Sequence, residues 1–303
     1  MNLGIIAVMV STLFTWTANM FMKKVSKEFE DNNLALVLQY IAMTIVALIL
    51  WAAWAMYNGT AYIPTLTAQW RLMVVGVGII GYIGIMFLFK AFDHLSGAVS
   101  LIIANLATFL MYFINLALYP WQESFGIAKL LIAIIFFLII VQFLLEKKKK
   151  TLKSKHLFNW HALYPLGTAI CRSLFFVWNS YFIKSNMMNP IQVGMLTETM
   201  ILIIAVLWFA ILQRENAWKK FQGACMGNNR WVFFLIWIFN VLAVYLAYYG
   251  YQDNPANTVN VIRLFSIPFA SVMCWIFLKD KLSRRQIFLL VVAFALMIAF
   301  LFT

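Results

Sequence analysis

Apolar residues run along this chain in stretches of about twenty, broken by short segments rich in lysine, asparagine and glycine. The runs fall near 3–22, 34–57, 70–90, 96–118 and 125–145, and then near 162–183, 190–212, 231–251, 256–278 and 285–302. A helix crossing about 30 Å of hydrocarbon needs about 20 residues at a rise of about 1.5 Å each. Within lipid the backbone must satisfy its own hydrogen bonds, so each run reads as a helix. The pattern predicts an all-α membrane protein with ten transmembrane helices. The first run opens at residue 3 without a basic segment before it or a small-residue cleavage site after it, so it reads as a retained helix.

A basic segment, 146–160, divides the chain into residues 1–145 and 161–303, with five runs on each side. The two parts echo each other. Phe92-Asp93-His94 stands opposite Gln252-Asp253-Asn254 at an offset of 160, and Val99 and Phe109 meet Val259 and Phe269 at that same offset. Trp16–Lys23 meets Val177–Lys184 at an offset of 161. An odd number of helices per repeat forces the second copy to insert upside down. The expected architecture is therefore two inverted five-helix repeats, with a site near the midplane between them.

Composition agrees with lipid as the solvent: 64% of the 303 residues are hydrophobic, 17% aromatic and only 11% charged. The net charge of +13 could suggest nucleic acid, but its basic residues sit between apolar runs, where they report orientation instead. Eighteen of the 23 lysines and arginines follow the odd-numbered runs, among them Lys23, Lys90, Lys147–Lys150 and Arg284. Under the positive-inside rule these face the cytoplasm, which places both termini outside a cell (inner) membrane. Trp121 and Trp160 suit anchoring at the membrane interfaces, and the Lys147–Lys150 run suits anionic headgroups.

Three features resemble the drug/metabolite transporter superfamily, in particular its ten-helix EamA-like members. They are the Trp16-x₆-Lys23 ending of the first run, a proline (Pro268) in the ninth run ahead of a Leu-acidic-basic turn, and a final apolar run straight after that turn. The resemblance implies ten helices and secondary transport. Thr108 stands where the first half would carry the matching proline, and Thr15 where small multidrug members carry a proton-coupling glutamate. Their proton site is therefore not carried over. Ten-helix members are usually drawn with cytoplasmic termini, opposite to the loop charges here.

Intramembrane charge costs about 2.5 kcal/mol or more, so each instance needs a reason. Glu198 is the one carboxylate well inside a run, and Arg172 and Arg263 are the two interior arginines. Counted from the shared side, they lie roughly 16 (Arg172), 12 (Glu198) and 10 Å (Arg263) deep at helical rise. One cluster of net charge +1 follows. Arginines in such a cluster suit a carboxylate or phosphate, with Glu198 as ion-pair partner or proton carrier. The alternative is a structural ion pair, with Arg263 snorkelling to the interface.

Neutral polar residues recur at helical spacing beside these charges. Asn105, Thr108, Tyr112 and Asn115 form one stripe; Thr12, Thr15 and Asn19 another; Asn257, Asn260 and Arg263 a third. Phe176 and Asn179 follow Arg172 on one face, and Trp237 and Asn240 form a further pair. Such faces look onto the bundle interior, as hydrogen-bonding contacts between helices or as a cavity wall. Gly76, Gly78, Gly81 and Gly84 suit close helix packing rather than a phosphate loop. Cys171, Cys225 and Cys274 lack disulfide or zinc spacing, and His94, His156 and His161 lack metal-ligand spacing, so no metal and no cofactor are expected.

The expected function is alternating-access transport, import or export, of a small anionic or zwitterionic metabolite such as an amino acid. Arg172 and Arg263 would hold the negative group. Asn19, Thr15, Asn105, Tyr112, Phe176, Asn179, Trp237, Asn240 and Asn260 would complete the site, and the chain would act alone or as a homodimer. Efflux of lipophilic cations is the alternative within transport, weighed down by two arginines against one carboxylate. A membrane enzyme acting on lipid-linked substrates would need acidic or histidine clusters at the membrane surface. The chain offers only Glu28, Glu30 and Asp31 there, so it is not expected to be an enzyme.

Overall fold

The structure is a computed structural model of the 303-residue chain. It describes residues 3–28, 31–59, 67–95, 97–104, 106–118, 126–144, 160–185, 188–213, 216–225, 230–254, 258–259, 262–263, 276, 279 and 283–302. These are helical almost throughout, with no strand among them. The helices are α1 (Leu3–Glu28), α2 (Asn32–Asn58), α3 (Ala68–His94), α4 (Gly97–Ala104), α5 (Leu106–Leu118) and α6 (Ile127–Leu144). There follow α7 (Leu163–Lys184), α8 (Pro190–Gln213), α9 (Ala217–Cys225), α10 (Arg230–Asp253) and α11 (Arg284–Phe302).

Local sequence sets several of these boundaries. Asp31 caps α2: its carboxylate accepts from the Asn33 and Leu34 amides at 3.0 and 3.3 Å. Gly59 ends that helix in the left-handed region, at φ 66°, where glycine carries no Cβ penalty. At the start of α8, Asn189 and Gln192 cap each other. The Gln192 amide donates to Asn189 Oδ1 at 2.8 Å, and the Asn189 amide to Gln192 Oε1 at 3.1 Å. Pro190 then occupies the first helical position, where its missing N–H costs nothing.

Among the described residues, six helical segments are long and apolar enough to cross a membrane: Leu3–Lys24, Asn32–Asn58, Trp70–His94, Val99–Leu118, Pro190–Gln213 and Leu235–Gln252. Ile127–Ile139 and Ile287–Leu296 are shorter apolar helices. α7 has 22 residues, but it carries Arg172, Ser173, Asn179 and Ser180 and is not in that set. The surface is what lipid requires. On α8, Ile203, Leu207 and Ile211 are exposed while Glu198, Ile201 and Ala205 are buried, an apolar stripe with no use in water. The chain is an all-α membrane-embedded protein.

Three boundaries differ from the sequence expectation. α1 and α3 run six and four residues beyond their apolar runs (28 against 22, 94 against 90), so Lys23 and Lys90 are helical and not loop residues. A hydropathy boundary marks where lipid ends, whereas a helix continues while its backbone finds partners. Lys23 is even buried, at 2% exposure, where it donates from Nζ to the Phe92 and Leu95 carbonyls at 2.5 and 2.6 Å. It closes the carboxyl end of α3, where free carbonyls favour a cation. Between α8 and α10 the sequence reading had only a loop, yet α9 forms there. The 146–159 linker and nearly all of the ninth run, including Pro268, lie outside the described residues.

α1 packs along α10, α2 along α8, and α3 along α7; α7 also meets α5, and α6 meets α11. One end of the bundle gathers the carboxyl ends of α1, α3 and α8 with the amino ends of α2 and α7. There Lys23 meets α3, Asn32 donates to Asp93 at 2.6 Å, Gln213 donates to Asp31 at 2.7 Å, and the His94 and His161 rings stack at 4.0 Å. The glycines of α3 permit close approach. A Cβ on Gly78 would stand 2.8 Å from Met200 Cβ, and one on Gly84 2.8 Å from Cys171 Cβ. They draw α8 and α7 onto α3, as small residues do in lipid.

Candidate solute-binding cavity

Half-way along the bundle the helices line a cavity of about 120 Å³. One water needs about 10–15 Å³ of such space, so there is room for several. Its polar lining comes from many elements: Thr15 and Asn19 on α1, Tyr40 on α2, Thr108 on α5, Arg172 on α7, Glu198 on α8, Asn240 on α10, and Arg263. Phe176, Ile201 and Val244 supply apolar wall, and Gly81 and Gly84 keep α3 thin beside it.

The three interior charges therefore share one cavity, but not as an ion pair. Among the described residues, no ion pair joins Glu198 to either arginine, and Arg172 makes no hydrogen bond to protein. Arg263 is held instead by neutral groups. Its Nη2 donates to Thr15 Oγ1 at 3.4 Å, and its guanidinium carbon lies 4.8 Å from the Phe176 ring centroid. Its Nε is buried without a partner. The structural ion pair weighed from sequence is not formed among the described residues, where Arg263 leans on α1 and α7 instead.

Glu198 is 2% exposed, and its Oε2 has no hydrogen-bond partner. Its own carbonyl accepts from Thr44 Oγ1 on α2 at 3.3 Å, which ties the two helices together at the level of the carboxyl group.

Of the residues singled out from sequence, Thr15, Asn19, Arg172, Phe176, Glu198, Asn240 and Arg263 meet at this cavity. Tyr112, Asn179 and Trp237 are not brought to it. Tyr112 faces α6, where its hydroxyl accepts from the Gly126 amide at 3.1 Å and its ring lies 5.3 Å from Lys129 Nζ. Asn179 donates to the Tyr248 hydroxyl at 2.8 Å between α7 and α10. Trp237 packs against the apolar cluster around α2 and α3. A helical stripe covers more than one neighbour, so spacing alone could not separate these faces. Asn105 and Asn260 lie outside the described residues.

Tyr40 is a polar lining residue that sequence reasoning missed. It is 3% exposed and interacts electrostatically with both Glu198 and Arg172. The signal was present: Gln39-Tyr40 is a polar break in an otherwise apolar run, one turn before Thr44.

No family model matches this chain, and no curated protein matches it. It is similar to a solved structure described only as "Crystal structure of protein", at 17% identity and a TM-score of 0.61, with 96% of each chain covered. At that identity the likeness establishes a shared fold along nearly the whole chain, and nothing about activity.

Proposed function

We propose that this protein is a secondary transporter of a small anionic or zwitterionic metabolite, built from two inverted five-helix repeats as in the EamA-like drug/metabolite transporters. The observation that carries the reading is Arg172, a cation that forms no ion pair or hydrogen bond with the described residues, in an interior cavity that Arg263 also lines. An uncompensated charge inside a membrane protein is expensive. A solute carboxylate or phosphate removes that cost, and the paired donors of guanidinium suit either group. Asn19, Asn240 and Thr108 offer neutral hydrogen bonds around it.

The packing supports the repeat. Exchange each helix with its counterpart in the other half: α1 with α7, α2 with α8, α3 with α10, and α6 with α11. The α1–α10 contact then becomes α7–α3, and α3–α8 becomes α10–α2, while α2–α8 and α6–α11 map onto themselves. Two-fold pairing of this kind is what an inverted repeat would produce, and in such a repeat a cavity between the halves is where alternating access operates. The end that gathers Lys23, Lys24 and Lys90 is assigned to the cytoplasm, with the amino terminus opposite.

Purified protein in liposomes tests the function after a thermal-shift screen of amino acids, phosphometabolites and lipophilic cations. A stabilising anion or zwitterion should show saturable flux that Arg172→Ala abolishes without loss of fold. Stabilisation by lipophilic cations alone would overturn the proposal.

A further inference from the structure

We infer that Glu198 is a proton site linked to the anion site, so that a proton and the anionic solute are carried together in one direction. The inference rests on the transport reading above and adds the coupling ion and the sign of coupling.

Glu198 is almost wholly enclosed, borders the cavity, and leaves Oε2 without a donor. The groups facing it can be taken element by element. α2 presents the Tyr40 hydroxyl, and α10 presents Tyr245 and Tyr248, which feel the Glu198 charge. α3 approaches α8 through Gly78 and Gly81, and its Tyr82 and Phe89 share an apolar cluster with Ile201. Arg172 on α7 and Arg263 share the cavity without forming an ion pair with Glu198. Lys220 on α9 is engaged at the bundle end, 3.8 Å from Asp31. Among the described residues, therefore, no basic side chain is paired with Glu198, and none donates to Oε2.

The sign follows from charge. Ionised, Glu198 offsets one of the two arginine charges that the solute meets, leaving a lining of net +1. Protonated, it leaves both arginines to the solute. Proton binding and anion binding thus favour each other, and by linkage the effect is reciprocal. The proton comes from the aqueous phase, forms an O–H bond at Glu198, and leaves to water on the opposite side when the anion leaves. One proton with one monovalent anion moves no net charge. Tyr40 lines the same cavity as Glu198 and Arg172.

Calorimetric titration of L-glutamate and of sulfate, neither of which changes charge between mildly acidic and mildly alkaline buffer, each in two buffers of different ionisation enthalpy, counts protons taken up by the protein per anion bound. Wild-type protein should take up protons on binding, and its affinity should fall several-fold from mildly acidic to mildly alkaline buffer. Glu198→Gln should bind with no proton uptake and with one affinity across that range. Anion binding without proton uptake in the wild type, or uptake that persists in Glu198→Gln, overturns the inference and leaves the transport reading standing. If neither anion binds, the anion site itself falls, and the inference with it. Wild-type uptake is read without any variant, so misfolding of Glu198→Gln does not disarm the test.

Discussion

The guanidinium of Arg263 lies over the ring of Phe176, 4.8 Å from the ring centroid, while Nη2 reaches Thr15. Among the described residues no carboxylate pairs with this arginine; the ring face attracts the cation without neutralising it, which leaves the charge for the anionic solute proposed above. Desolvated cation–π contacts are worth about 1–2 kcal/mol. Phe176→Leu should therefore weaken anion binding by about five- to thirtyfold, and Phe176→Trp should retain it. Equilibrium binding of a solute from the screen decides this, with thermal unfolding as the check on folding.

Lys23 makes a different use of positive charge. It is consumed by the Phe92 and Leu95 carbonyls at the end of α3, and its Nζ also sits 5.6 Å from the Phe92 ring. Hydrogen bonds from a charged donor contribute about 1.5–3 kcal/mol. Lys23→Met should lower stability by about that amount, read as a lower unfolding midpoint in detergent. An unchanged midpoint would mean that the carbonyls are satisfied another way.

The glycines of α3 can be told apart by what surrounds them. A Cβ at Gly84 meets Cys171 Cβ at 2.8 Å, whereas a Cβ at Gly76 meets nothing within 4 Å. Gly84→Ala should force α3 and α7 apart at a cost of about 1–3 kcal/mol. Gly76→Ala, on the same helix, should not lower stability, since alanine is the better helix former by about 1 kcal/mol. Unfolding midpoints of the two variants side by side settle the comparison.

Two asparagines separate packing from recognition. Asn179 is fully buried against Tyr248, and Asn240 borders the cavity. Asn179→Ala should reduce stability by about 1 kcal/mol, the scale of one buried hydrogen bond between helices, and leave anion affinity in place. Asn240→Ala should reduce affinity with little change in unfolding. The reverse outcome would move Asn179 into the site.

By itself the sequence determined that this chain lives in lipid, because the length of an apolar run is a one-dimensional property matched to bilayer thickness. It also determined that Arg172, Glu198 and Arg263 are exceptional, because charge inside such a run is costly wherever the run ends up. Their similar depth was legible for the same reason: rise per residue is fixed and helices alternate direction.

Direction around each helix axis was left to the tertiary structure. A stripe such as Thr108–Tyr112–Asn115 has neighbours on two sides, and only packing against α6 decided that Tyr112 turns from the cavity while Thr108 lines it. Packing also left Glu198 without an ion pair among the described residues, set Tyr40 at the same cavity as Glu198 and Arg172, and buried Lys23 at the end of α3. Those relations join residues far apart in the chain, and no local periodicity encodes which face of one helix another helix will cover.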